Sequence, residues 1–335
     1  MKGKEDNTLE KFIEEFNKKY GKVFYVPDEL PDLKWLPSEV FVIDMITGGG
    51  LPLGRVIEVW GKRSCGKSTL FLKWASVAQR TCANCFDYLV FCKCKKQRAM
   101  KVLYVDAEGT FSYDYAAKLG VSKDILIGRP DFLEGCWDMC EMSIRQGIDL
   151  IIIDTVTSLA SKKEIEDSTA DKHMAEGARS INQGLRKVLS AMNNAMNEGR
   201  RVSVILGNQV RTNLAVMWGS KDFKPGGLGQ DFITSIEVKL QVSEMKYDKN
   251  DCLLGAVIKA VCLKNKCAKP MLEGEFFLNL SDKLGDTNEI EVVKEYMDRY
   301  KVEFDGDINT YEGLIKARRV VLDKVLKLGS YGTSA

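Results

Sequence analysis

The chain has a single histidine, His173, and nothing near it in sequence supports a metal site built on imidazole. It also has no excess of one charge. Its 49 Lys and Arg stand against 47 Asp and Glu, a formal net charge of +2, so a globally basic surface is excluded as the way to hold a polyanion. Cationic contacts to nucleic acid would have to be concentrated in short loops. No apolar run is long enough to span a bilayer, which excludes a membrane-embedded chain. The start, MKGKEDNTLEKFIEEF, lacks the apolar stretch and small-residue cleavage site of a secretory signal, and a cytoplasmic location is expected. No internal repeat and no second nucleotide motif is present. In a chain of this kind the ten cysteines point to metal binding or buried free thiols rather than disulfides.

The 335 residues, 45% hydrophobic and 29% charged, suit one large α/β core with smaller appendages. Leu9, Phe12, Ile13 and Phe16 recur at helical spacing among charges, which predicts an amphipathic helix over 8–20. Pro27, Pro31 and Pro37 then mark an extended linker. The body alternates apolar runs at 55–60, 101–108, 150–155 and 202–209 with helical patterns. Such runs are buried on both faces, the mark of a mainly parallel sheet covered by helices. After residue 230 closely spaced strands, ITSIEVKLQV, LLGAVIKAVCLKNK and EFFLNL, predict an antiparallel extension. The last fifty residues predict a small helical module.

Gly61-Lys62-Arg63-Ser64-Cys65-Gly66-Lys67-Ser68, with Thr69 next, follows the strand RVIEVW and opens a helix, the context a phosphate-binding loop requires. Small residues let successive backbone N–H groups wrap phosphates, and the helix N-terminus favours anions. Lys67 supplies a cation at the terminal phosphates and Ser68 a hydroxyl for Mg2+. Asp154, ending the run Leu150-Ile151-Ile152-Ile153, is the second Mg2+ residue or else a helix cap. Glu108 is the best placed carboxylate to activate water, with Asp106 its competitor. The amide pair Asn208-Gln209 either touches the γ-phosphate or caps a strand end.

Two segments look too long to be idle. Between Gln209 and Phe232 about twenty residues lack periodicity and carry Arg211, Lys221 and Lys224 for phosphates, Leu214, Met217 and Trp218 for bases, and Gly226-Gly227 for flexibility. The alternative is a disordered surface lid. The other segment, SKKEIEDSTADKHMAEGARS, runs polar into a helix with Arg179, Arg186 and Lys187, and Met174 could act as a wedge. Separately, Cys82, Cys85, Cys92 and Cys94 fall within thirteen residues, RTCANCFDYLVFCKCKKQRA, and match an all-cysteine structural Zn2+ knuckle, although the final C-x-C is tighter than the commoner C-x-x-C. Free thiols are the alternative. Cys136 and Cys140, four apart on a helical pattern, read as core.

Taken together, LPLGRVIEVWGKRSCGKSTL, YVDAEGTFSYDYAAKLGV, IIIDTVTSL, KKEIEDSTADKHMAEGARSINQGLRKV, ILGNQVRTNLAVMWG and LKNKCAKP resemble the RecA family in order and spacing, from about Leu9 to Leu278. The likeness is to a bacteriophage or otherwise divergent bacterial member. It implies a RecA-type P-loop ATPase with ATP and Mg2+ as ligands, an N-terminal polymerisation helix and linker at 1–37, the core at 38–280 with an insertion at 81–99, and a C-terminal module at 281–335. It assigns Glu108 as the water-activating carboxylate, Gln209 as γ-phosphate sensor and Tyr115 as an adenine-stacking residue. Lys264 and Lys266 become cations that reach the ATP of the adjacent subunit. Met174, Arg179 and Arg186 fall in a first DNA loop, and Arg211, Leu214, Trp218, Gly226 and Gly227 in a second. The function implied is homologous pairing and strand exchange by a helical homo-oligomeric filament on single-stranded DNA with a homologous duplex. A ring helicase or loader ATPase, and a non-recombinogenic DNA-coating regulatory ATPase, are the alternatives. Three departures stand out: Ser112 where the family usually has Asp against adenine, no acidic tail, and the cysteine insertion where relatives have a short turn.

Overall fold

The computed structural model describes residues 6–21, 23–166, 174–212, 222–224 and 227–328. The chain divides into two units, Met1–Lys34 and Trp35–Ala335. The first holds helix α1 (Asp6–Tyr20) and a 3-10 turn at Pro27–Glu29. Phe12, Phe16 and Tyr20 recur along α1 and pack ring to ring, and Phe24 returns against Phe12 and Phe16. Asn17 holds that return, its Oδ1 accepting the backbone N–H of Val23 at 2.8 Å.

The second unit begins with β1 (Trp35–Leu36), α2 (Phe41–Thr47) and β2 (Leu51–Pro52), followed by β3 (Val56–Gly61) and α3 (Lys67–Gln79). Then come β4 (Val102–Asp106), α4 (Tyr113–Lys118), β5 (Leu126–Gly128), α5 (Leu133–Arg145), β6 (Leu150–Asp154), α6 (Lys162–Glu166), α7 (Met174–Asn197) and β7 (Ser203–Gln209). The last part comprises β8 (Arg211–Thr212), β9 (Asp222–Phe223), α8 (Gly227–Ile233), β10 (Ile236–Tyr247), β11 (Leu253–Asn265), β12 (Leu272–Asn279), α9 (Glu289–Tyr300) and α10 (Tyr311–Leu328).

Eight strands form one sheet in the order β12-β11-β10-β3-β7-β6-β4-β5. From β10 to β5 neighbours run parallel, while β11 and β12 extend the sheet antiparallel, the division expected from the change of pattern after residue 230. Alternate side chains of each central strand face opposite layers. Ile57, Val102, Tyr104, Ile152 and Ile205 pack against Leu70, Phe71 and Trp74 of α3. Val56, Leu103, Ile151, Ile153 and Val204 pack against α5 and α7 through Trp137, Leu185 and Val188. Two covered faces explain why these strands are continuous apolar runs. The short edge strand β5, with Leu126 exposed, gave no such run.

The parallel register also builds the site. Gly61 pairs with Gln209, and Asp106 with Asp154, so the carboxyl ends of four strands lie along one edge of the sheet.

α9 and α10 pack with α2 around Phe41, Met45, Val293, Ala317 and Val321. Arg318 bridges Asp44 at 2.7 Å and also pairs with Glu289, both buried. Beside this, Glu39 accepts from Arg80 at 3.0 Å and from the hydroxyl of Tyr311 at 3.0 Å. Burial alone would raise the Glu39 pKa, but Arg80 and Lys73 more than reverse it and hold the carboxyl below its ordinary 4.5. A carboxylate depressed in the folded state stabilises above its unfolded pKa and loses that contribution as pH falls through the folded value. Glu39→Gln is therefore expected to lower the unfolding temperature at pH 7 and to differ much less from the parent near pH 3, as read by thermal unfolding across that range.

Candidate functional site

β3 ends at Gly61, where an added Cβ would meet the Leu240 carbonyl oxygen at 2.4 Å, so only glycine lets the loop leave the sheet here. Gly66, at φ +85°, turns the chain into α3, and a Cβ there would meet Leu278 at 2.5 Å. The loop between them carries Arg63 and Ser64 at the mouth and buries Cys65, whose thiol pKa is raised by burial. Lys67 is buried with its Nζ 3.0 Å from the carbonyl oxygens of Gly61 and Lys62. Thr69 shares a 2.8 Å hydrogen bond with the hydroxyl of Tyr115, which fixes α4 beside the start of α3. Ser112 caps α4 through the Tyr115 N–H.

A cleft of about 630 Å³ opens over this loop and is lined by Arg63, Ser64, Lys67, Ser68, Glu108, Asp154 and Gln209, among others. Asp154 accepts a 2.6 Å bond from the Tyr104 hydroxyl. Burial raises its pKa, while hydrogen bonds from Ser68 and Tyr104 act the other way. The peptide between Asp154 and Thr155 is cis. Glu108 gathers three donors on one oxygen: Gln209 Nε2 at 2.7 Å, Thr155 Oγ1 at 3.0 Å and Ser158 Oγ at 3.1 Å. Sequence reasoning missed Thr155, Ser158 and Tyr104. The hydroxyl-rich run DTVTS after β6 is the signal that could have found the first two.

The competitors of the expected residues turn out to be structural. Asp106 accepts from the N–H groups of Thr110 and Phe111 and from Arg129 at 2.8 Å, and it does not line the cleft. Asn208 is fully buried and donates to Glu58 at 3.0 Å, facing away from its neighbour's role in the cleft. Lys224, read from sequence as a phosphate contact, sits instead in a cage of carboxylates. Its Nζ lies 2.7 Å from Glu58, 2.7 Å from Asp231 and 2.9 Å from Glu237. Lys264 and Lys266 are also away from the cleft of their own chain. Their ammonium groups meet the carbonyls of Asp231 and Phe232, at the C-terminal end of α8, where cations are favoured.

The expected DNA segments are partly framed. Met174 is the first residue of α7, not part of a loop, and Arg179 and Arg186 are exposed seven residues apart on that helix, hence on one face. Lys187 is occupied by Asp138 at 2.6 Å. Arg211 lies in the β8–β9 ribbon, whose strands pair Arg211 with Phe223 and Thr212 with Asp222. Gly227 opens α8. Leu214, Met217, Trp218, Lys221 and Gly226, like His173, lie outside the described residues. In the insertion, the sulfurs of Cys82, Cys85, Cys92 and Cys94 all lie within 4.8 Å of one another. Cys136 and Cys140 are buried in the α5 core, as expected. Among the described residues no helix is long and apolar enough to cross a membrane.

A family model of the RecA N-terminal domain matches residues 7–284. The chain belongs to the RecA family. It is 31% identical to Protein RecA of Geobacter metallireducens over 310 residues, covering 89% of this chain and 84% of the relative. Identity is 33% to Protein RecA of a Nocardioides species, over 82% of this chain and 73% of the relative, and 32% to that of Amycolatopsis mediterranei, over 92% and 83%. Membership of the RecA family agrees with the sheet: a mainly parallel α/β core with an antiparallel extension.

Proposed function

We propose that the chain is an ATP-dependent DNA recombinase that assembles as a helical filament on single-stranded DNA and pairs it with a homologous duplex. One observation carries the reading: Gln209 donates directly to Glu108 at 2.7 Å, and two residues later Arg211 enters the ribbon at the base of the second DNA segment. The group that senses a γ-phosphate thus touches the group that positions water and is joined by backbone to the DNA contact. Lys67 supplies charge to the terminal phosphates, with Arg63, Ser64, Cys65 and Gly66 wrapping them through the loop. The hard oxygens of Ser68 and Asp154 suit Mg2+, which when bound neutralises phosphate charge. Tyr115, with its hydroxyl on Thr69, flanks the base. Lys264 and Lys266, absent from the cleft of their own chain, complete the neighbour's site in the filament, so hydrolysis requires assembly. Zn2+ is the ligand proposed for the four clustered thiols, whose soft donors and close spacing fit a tetrahedral ion.

The same reading gives residues 1–37 to polymerisation, 38–280 to the ATPase core and 281–335 to an accessory module. Met174, Arg179 and Arg186 form one DNA-contacting edge, and Arg211, Leu214, Trp218, Gly226 and Gly227 the other. The test is ATP hydrolysis with and without single-stranded DNA, beside electron microscopy of the same mixtures. Stimulated turnover with filaments supports the proposal; rings, or turnover indifferent to DNA, refute it. Gln209→Ala is expected to keep ATP binding while losing about 10- to 100-fold of the DNA stimulation, the size of a typical coupling between sites. Nucleotide affinity measured beside stimulated and unstimulated rates checks it.

A further inference from the structure

The segment 81–99 has almost no regular structure of its own. It is tied down by isolated bridges, Thr81 to Tyr88 and Cys82 to Ala99, and by a turn in which the Phe86 N–H returns to the Cys82 carbonyl at 2.8 Å. Phe86 sits at φ +64°, a backbone region that a bulky side chain rarely occupies unless the surroundings hold it there. What sits at the centre of this turn is the group of four sulfurs. A backbone amide supports them: the Cys94 N–H lies 3.4 Å from the Cys92 sulfur. N–H groups aimed at sulfur suit thiolates bound to a cation.

The outer side of the same segment faces the C-terminal helix α10. Tyr88 meets Tyr311 edge to face, with centroids 6.1 Å apart, and both hydroxyls donate to Glu39. Asp87 pairs with Arg319, whose guanidinium also lies over the rings of Tyr88 and Phe91 at 5.8 and 5.4 Å. Lys316 covers Phe91 at 5.3 Å. All these contacts come from residues between the two cysteine pairs, the stretch whose shape a bound ion would fix. A segment this short, with isolated bridges but no helix or strand, does not hold three aromatic rings in place by propensity alone.

We infer that a single Zn2+ held by Cys82, Cys85, Cys92 and Cys94 shapes the segment into a dock for α10, and so fixes the C-terminal module on the ATPase core. The inference rests on the zinc reading above and adds what the ion does. It makes the insertion a second tie between the two parts, beside the packing of α10 on α2, and sets it apart from the cleft and the DNA segments.

The experiment takes the full-length protein, purified without added chelator, and measures its zinc by elemental analysis and its backbone hydrogen exchange by mass spectrometry. About one zinc per chain is expected, released when the thiols are titrated with a mercurial reagent. Removing it, or introducing Cys85→Ser with Cys92→Ser, is expected to speed exchange in Tyr311–Leu328 by about ten-fold or more while β4 and β6 stay protected. Arg319→Ala, which leaves all four sulfurs intact, is expected to retain zinc and loosen the same helix. Protein without zinc overturns the metal reading itself. Zinc present but α10 equally protected after its removal, or after Arg319→Ala, overturns the dock and leaves the metal reading standing. Loss of protection across β4 and β6 as well would make the ion a staple of the whole core and also overturn the dock.

Discussion

Glu108→Gln is expected to lower ATP turnover by about 100- to 10,000-fold, the range for losing a positioned general base, while ATP-dependent assembly on single-stranded DNA persists. The substitution keeps the shape and one carbonyl oxygen. That oxygen can still accept from Thr155, Ser158 or Gln209, the three donors on Glu108 Oε1, so the sensor link survives. What disappears is the negative charge and second oxygen that would draw a proton from water. Because Lys67, Ser68 and Asp154 are untouched, the phosphates remain bound and the ATP-bound arrangement of Gln209 is held for longer. Lys67→Ala behaves differently, losing nucleotide and turnover together. Phosphate release assays on both variants, with electron microscopy of their complexes on single strands, separate the cases. Unchanged hydrolysis by Glu108→Gln would take that carboxylate out of the reaction and leave the Gln209 contact as mere strand-end capping.

The strands that carry this site were legible because each is covered on both faces, and a doubly buried parallel strand can be written only as an apolar run. The runs at 55–60, 101–108, 150–155 and 202–209 therefore pointed to the edge of the sheet, where the strands end at Gly61, Asp106, Asp154 and Gln209, before their register was known. Choosing among neighbours there was another matter. Glu108 and Asp106 are two residues apart, and only the Arg129 pair and the two backbone N–H groups taken up by Asp106 show that it is spent on structure. The same holds for Lys224, where a cation in a glycine-rich segment reads as free until the three carboxylates around it, drawn from β3, α8 and β10, are brought together by the fold. At Met174, which the resemblance put in a loop, α7 already begins. Long-range charge pairing has no local pattern to betray it. The four cysteines were the reverse case: their spacing alone predicted a cluster, and the sulfurs meet.

Removing the cation from that cage is expected to weaken the fold strongly. Lys224→Met is expected to cost about 3–5 kcal/mol of stability, the range for leaving a buried ion pair with one partner. Glu58 is fully buried and accepts from Lys224, from Asn208 and from Gln230 at 2.7 Å. Burial already raises its pKa, and Lys224 is the largest influence acting the other way. Without Lys224 the Glu58 pKa rises further. A carboxyl whose folded pKa is raised is best tolerated when protonated, so the deficit of the variant should be smallest at acid pH and should grow as pH climbs through the raised value. Chemical unfolding at pH 5 and pH 8 reads this directly. Pairing Lys224→Met with Glu58→Gln removes the stranded charge and should recover much of the loss at pH 8, a coupling that a merely packing role for the lysine stem would not give. The cage also reaches the cleft: Glu58 holds Asn208, and the next residue is Gln209, whose amide contacts Glu108. If the charge pair fixes that strand end, Lys224→Met will blunt the DNA stimulation of ATP turnover while the double variant recovers it. Equal stability of Lys224→Met and its parent at pH 8 would show that the cage is not a buried ion pair in solution.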